Sequence, residues 1–184
     1  KYLPSFAGLL FDSEIQNLSK AFSPDHPFLF ILGGAKFETK MPLIQKFLDK
    51  ADTVFVGGAL ANDIFKERGL EVGKSIVSDV GVDLANLSLN PKLIAPEDVI
   101  VNIPGSHSKR ASEVLPDDRI LDSGSKTQAL FIESLKTAKF VLWNGPLGDY
   151  EKGFEQGTMQ LAQAIADSKA HSILGGGDTV ALLV

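Results

Sequence analysis

Phe28-Leu29-Phe30-Ile31-Leu32-Gly33-Gly34-Ala35-Lys36 is an apolar run that ends abruptly in a pair of glycines, and the same pattern recurs three more times along the chain. Thr53 to Val56 runs into Gly57-Gly58-Ala59, Phe140 to Trp143 into Asn144-Gly145-Pro146, and Ser172 to Leu174 into Gly175-Gly176-Gly177-Asp178-Thr179. Short, nearly continuous apolar runs read as strands covered on both faces, the habit of a parallel sheet. In an open parallel sheet the turns after the strands share the carboxyl edge, where ligands bind, and bare glycine backbone there lets phosphate oxygens come close. The pattern predicts an α/β protein, a Rossmann-like open parallel sheet flanked by helices in three layers, with a nucleotide at its edge.

Working outward, a further strand is expected near Val99, and the intervals between strands are long enough for crossover helices, so the strands are expected to share one sheet. Ser13 starts a helix with Ile15, Leu18, Ala21 and Phe22 on one face. Thr39 caps a second, burying Leu43, Ile44, Phe47 and Leu48. A third runs from Ala59 to Arg68 and closes at Gly69. Ser125 caps a fourth that carries Leu130, Phe131 and Leu135 inward, and Glu155 to Asp167 forms a fifth with Met159, Ala162 and Ile165 on one face. Asn102 to Asp118 is polar and turn-rich, which predicts an excursion from the core. Residues 1–12 read as the remnant of an interdomain linker, and residues 13–184 as one nucleotide-binding domain. Val180 to Val184 opens an apolar helix that stops without a cap, so a fragment, truncated at its C-terminus, is expected.

The charge balance of -5 argues against general nucleic-acid affinity, so any phosphate site must be local. With no cysteine, disulfides and thiolate metal sites are excluded. The apolar runs are too short to cross a bilayer and no signal peptide precedes the first polar residues, so a cytoplasmic protein is expected.

Four constellations can carry chemistry, and each also has a plain structural reading. Gly175 to Thr179 follows a strand and opens a helix: free N–H groups there can hold an anion and Asp178 can ligate Mg²⁺, or Asp178 can simply be an N-cap. Lys36 and Lys40, four apart, can neutralise a transferring phosphoryl group, or be two solvated lysines. Glu151 can accept from sugar hydroxyls beside a wall of Pro146 and Leu147, or sit in a surface turn. Gly57-Gly58-Ala59 can seat a flat base, or allow close helix packing. That all four fall on one sheet edge favours the functional readings. Gly69 to Ser75 lacks a preceding strand and the spacing of a P-loop, no G-x-G-x-x-G is present, and His26, His107 and His171 show no ligand spacing and read as solvated.

In order and spacing, Ile31 to Lys36, Val56 to Ala61, Glu71 to Ser75, Trp143 to Gly148 with Glu151, and Gly175 to Thr179 resemble the phosphoglycerate kinase family. Tyr2 to Ser5 and Ala7 to Leu10 resemble the segment that joins that enzyme's two domains. The resemblance implies the nucleotide half of a glycolytic kinase that interconverts 1,3-bisphosphoglycerate and MgADP with 3-phosphoglycerate and MgATP. By position, Lys36 and Lys40 would contact the phosphates beside Gly34 and Ala35, with Lys36 near the group in flight. Asp178 would hold Mg²⁺, while Gly176, Gly177 and Thr179 would bind phosphate. Gly57, Gly58 and Leu121 would line the adenine slot, Asn144, Gly145 and Pro146 the ribose and phosphate side, and Glu151 the ribose hydroxyls. Catalysis is implied for Lys36, Lys40, Gly176 and Gly177. A monomer is implied, with the acidic substrate held by an N-terminal domain and neither nucleic acid nor membrane as partner. Two other readings stay open at the level of sequence: a nucleotide module of another α/β enzyme, and a non-catalytic interaction domain.

Overall fold

The computed structural model describes residues 4, 6–35, 37–78, 84–102 and 107–183. In chain order its elements are α1 (Leu9–Lys20), β1 (Phe28–Leu32), α2 (Phe37–Leu48), β2 (Thr53–Val56), α3 (Ala59–Glu67), α4 (Ala85–Ser88), β3 (Leu93–Ile94), β4 (Asp98–Val101), β5 (His107–Arg110), β6 (Ile120–Ser123), α5 (Ser125–Thr137), β7 (Phe140–Asn144), α6 (Gln156–Asp167), β8 (His171–Gly175) and α7 (Gly177–Leu183), with short 3-10 turns at Ala111–Glu113 and Tyr150–Lys152.

Five strands form a parallel sheet in the order β3-β2-β1-β7-β8. Every residue of β1 is buried, because helices cover both faces. The two-residue period of a strand sorts its side chains cleanly. Phe28, Phe30 and Leu32 join the core under α2 and α3, with Ile44, Phe47, Leu60 and Ile64. Leu29 and Ile31 join the opposite core with Phe131, Trp143, Leu161 and Ile165, the inward residues of α5, β7 and α6. This is the three-layer open sheet that the glycine-terminated runs predict.

The strand near Val99 corrects the single-sheet expectation. β4 lies in a separate antiparallel sheet, in the order β5-β4-β6. Only five residues lie between β4 and β5, too few for the long crossover that a parallel return requires, so these strands pair as antiparallel neighbours. β5 and the buried Asp118, whose carboxylate pairs with Lys109 at 2.6 Å, also fold much of the supposed polar excursion into the molecule.

The helix termini need similar correction. α1 begins at Leu9, behind Gly8, and buries none of its residues; Ile15 and Leu18 stay about half exposed. Thr39 lies inside the first turn of α2 rather than at its cap. Ser125 is the first residue of α5, and Gly124 occupies the cap. Glycine offers no side-chain acceptor, and Asp98 of β4 supplies it instead, taking the N–H groups of Lys126 and Thr127 at 3.1 and 2.8 Å. Asp122 of β6 does the same for α6, accepting from Gly157 at 2.9 Å. Along α6 the buried face is Gly157, Thr158, Leu161 and Ile165, while Met159 points out because it is one position off that stripe.

Candidate functional site

The order of the parallel sheet reverses between β1 and β7, since β1 leads to β2 and β3 while β7 leads to β8. Ligands of open α/β sheets sit in the crevice at such a switch point. The turns after the two strands are stitched together there: the Gly33 N–H donates to the Asn144 carbonyl and the Gly34 N–H to the Pro146 carbonyl, both at 2.9 Å. A Cβ on Gly33 would collide with the carbonyls of Gly145 and Pro146, and one on Gly145, at φ +97°, with that of Gly33. Glycine is obligatory at both positions because two backbones touch.

A cleft of about 250 Å³ opens over these turns. Gly34, Ala35, Gly58, Pro146 and Leu147 supply one wall, α3 adds Ala61, Asn62 and Phe65, and the antiparallel sheet contributes Val99, Ile120 and Leu121 opposite. Tyr150, Glu151 and Asp178 complete it. The structure thus brings Gly34, Ala35, Gly58, Leu121, Pro146, Glu151 and Asp178 together on one cleft. Lys36 lies outside the described residues.

Lys40 stands one turn into α2, partly buried, with its ammonium donating to Oδ1 of Asn144 at the end of β7. Burial lowers the pKa of Lys40, and the charge of Asp178 acts in the opposite sense. The bond to Asn144 is to a neutral amide, so Asp178 supplies the opposing charge that Lys40 feels. Asn144 also reaches the glycine turn after β8, its Nδ2 lying 3.3 Å from where a Cβ on Gly175 or Gly176 would stand.

Thr179 and Gly145 lie behind the cleft surface. Thr179 is fully buried, and its hydroxyl accepts the Gly145 N–H at 2.9 Å, fastening α7 to the turn after β7. Gly57 likewise sits behind the wall, where a Cβ would strike Leu147. Gly176, at φ +96°, and Gly177 are exposed at the start of α7. Asp178 is the second residue of that helix and exposed, so the N-cap reading of its carboxylate does not hold.

Several wall residues carry no sequence signal. Arg119 pairs with Asp149 at 3.5 Å; Asn62 lies on α3, four residues past Gly58; the Tyr150 hydroxyl has its pKa raised by burial and by the nearby carboxylates of Asp178 and Glu151. None of them belongs to a glycine turn. Asp122 also lines the cleft, but it accepts from Ser123 at 2.8 Å and from Gly157, and burial pushes its pKa up. Gly69 closes α3 and Gly73 bridges to Arg119, so the P-loop-like stretch is a structural connector. His26 is exposed, as expected, and its Nδ1 meets Asp52 at 2.6 Å on the surface.

Among the described residues no group of three or more His, Cys, Asp or Glu side chains could enclose a metal. A single exposed carboxylate suits Mg²⁺, which keeps several waters and is held by one or two carboxylates together with substrate phosphates. Asp178, exposed on the cleft beside the glycine turn after β8, fits that donor set.

A family model described as phosphoglycerate kinase matches residues 1–184. Phosphoglycerate kinase of Francisella tularensis is 40% identical over 197 residues, covering 100% of this chain and 50% of that protein. That of Pelotomaculum thermopropionicum is 38% identical over 194 residues, covering 98% and 49%. Among solved structures, phosphoglycerate kinase from Coxiella burnetii superposes with a TM-score of 0.88 at 38% identity, over 96% of this chain and 49% of that one. The enzyme from Pyrococcus horikoshii gives 0.82 at 30%, over 96% and 48%. The chain spans about half the length of the curated relatives it matches.

Proposed function

The chain belongs to the phosphoglycerate kinase family, and from that premise we propose that it binds Mg-ADP and Mg-ATP as the nucleotide half of an enzyme that moves a phosphoryl group between 1,3-bisphosphoglycerate and ADP. The observation that carries this reading is the convergence of Gly34, Gly58, Pro146 and Asp178 on one cleft at the strand-order switch, with the Lys40 ammonium held on Asn144 at the end of β7.

Each group has a role that follows from its chemistry. Gly57, Gly58 and Leu121 form and back the slot for the base, and Glu151 accepts from the ribose hydroxyls. Asn144, Gly145 and Pro146 shape the phosphate side, and Asn144 aims Lys40. Gly176, Gly177 and Thr179 set the start of α7 against the phosphates. Asp178 would hold Mg²⁺, which screens the charge of the phosphate oxygens. In the transfer a terminal phosphate oxygen of ADP forms its bond to phosphorus as the bond from phosphorus to the acyl oxygen breaks, leaving 3-phosphoglycerate as a carboxylate. The charge spread over the moving group is met by Lys36 and Lys40, so the protein positions and neutralises without forming a covalent intermediate. The bisphosphoglycerate is taken up by a separate domain of a monomeric cytoplasmic enzyme. The 184 residues alone bind nucleotide without turning it over.

Calorimetric titration tests this reading. Folded protein should bind ADP saturably in the presence of Mg²⁺, and Asp178→Ala should weaken that binding far more than it weakens binding of ADP in excess chelator, since a ligand to a hard cation matters only when the cation is present. Absence of saturable heat at millimolar Mg-ADP would sink the proposal, and equal losses with and without metal would remove Asp178 from its role.

A further inference from the structure

Asn62 is 2% exposed, and its Oδ1 is the one buried side-chain polar atom without a hydrogen-bond partner among the described residues. Its neighbours on α3, Leu60, Ala61, Ile64 and Phe65, are buried with it. An unpaired buried acceptor costs stability, whereas an apolar side chain of the same shape is close to neutral or favourable in its place. The stability of the helix therefore gives no reason for an amide at this position. The reason lies at the other end of the same amide, where Nδ2 donates to the carbonyl of Ile76 at 2.8 Å.

Ile76 is a large apolar side chain held outside the core. It is 48% exposed and lines the cleft together with Ala61, Phe65 and Leu121. The backbone around it is pinned from two directions. On one side Ser75 Oγ accepts the Ile120 N–H at 2.8 Å; on the other, the Ser78 N–H and hydroxyl donate to the Asp63 carboxylate at 2.8 and 3.0 Å. The bond from Asn62 falls between these anchors, on Ile76 itself. A half-exposed apolar side chain gains by being covered, and it gains more when its backbone is already fixed, because no ordering cost then falls on the ligand.

We propose that Asn62 is a positioning residue that acts through Ile76, its amide holding the Ile76 backbone so that the side chain stands ready against the base of the bound nucleotide. This rests on the nucleotide reading of the cleft. Asn62 itself makes no contact with the ligand, and its unpaired Oδ1 is the cost in stability that comes with placing the donor where Ile76 needs it. Covering the exposed half of an isoleucine side chain corresponds to about three- to tenfold in affinity.

The test is a double-mutant cycle on the whole chain, read by equilibrium titration with ADP in Mg²⁺ and with Mg-pyrophosphate, which has no base. Ile76→Ala and Asn62→Leu should each weaken ADP binding about three- to tenfold, and the double variant should bind no more weakly than the weaker single, since each removes the same contact. Affinity for Mg-pyrophosphate should be the same in all four proteins. Additive losses for ADP overturn the proposal, and so does a parallel loss for pyrophosphate, which would mean that Asn62 supports the cleft as a whole. Asn62→Ala repeats the cycle should leucine prevent folding. Undiminished ADP binding by Ile76→Ala overturns the proposal without any substitution at Asn62. Failure of the wild-type protein to bind ADP overturns the nucleotide reading itself, and this proposal with it.

Discussion

In the proposed reading Lys36 and Glu151 serve the same ligand at different moments, and kinetics can separate them. A cation aimed at the migrating phosphoryl group acts mainly in the transition state, whereas contacts to ribose are the same before and during transfer. In the full-length enzyme, Lys36→Ala should cut kcat by orders of magnitude, corresponding to roughly 3 to 4 kcal/mol, with a smaller change in the nucleotide KM. Glu151→Ala should mainly raise that KM. Steady-state assays with 3-phosphoglycerate and ATP read both, and a Lys36→Ala enzyme with undiminished kcat would refute the role of that lysine. The glycine turns were legible because an apolar run ending in glycine is a local signal. Asn62 was not, since no glycine turn marks it and its amide is held by the Ile76 carbonyl, fourteen residues away.

At the level of elements, α5 and α6 take their N-terminal acceptors from strands of the small sheet, and this makes their stability respond to pH in opposite senses. Burial works against the Asp98 carboxylate, but hydrogen bonds from Thr127, Lys126 and Ser108 outweigh it and hold its pKa below the ordinary value. A depressed pKa in the folded state stabilises above the unfolded pKa, near 4, and the contribution is lost as pH falls through the folded one. For Asp122 burial prevails and the pKa is raised, so the native state binds the extra proton and stability declines as pH rises through the raised value. Thermal midpoints measured from pH 3 to 8 should show Asp98→Asn losing about 1–3 kcal/mol near neutrality, a deficit that shrinks in acid. Asp122→Asn should lack the wild-type decline with rising pH. Parallel curves for wild type and either variant would contradict the assignment. These caps were invisible in the sequence because their acceptors are remote: Asp98 precedes the helix it serves by 28 and 29 residues. The second sheet escaped notice for a related reason, since β5 is His107-Ser108-Lys109-Arg110, a polar strand held by its pairing with β4 rather than by an apolar face of its own.

Across the whole molecule, order should be graded from the centre of the parallel sheet outward. β1 is buried throughout and paired on both sides, whereas α1 has 12 residues, none buried, with Leu9 92% and Leu10 76% exposed. A helix of that length without tertiary packing is marginal in water. Native-state hydrogen exchange should show α1 amides opening at least a hundredfold more readily than those of β1 and β7, which exchange only through global unfolding. Equal protection of α1 and β1 would show that α1 is held by contacts this structure lacks. A broader property follows from how the cleft is walled. Its two sides belong to separately hydrogen-bonded sheets, and the segment from Glu71 to Ser78 is fastened to both sides: to α3 through Asn62 and Asp63, and to the small sheet through Lys74 with Asp118 and Ser75 with Ile120. The strap works as a spacer gauge, so that inserting or deleting a residue in it would reset the width of the cleft, and with it, in the proposed reading, the thickness of base admitted, while every residue lining the cleft stayed the same.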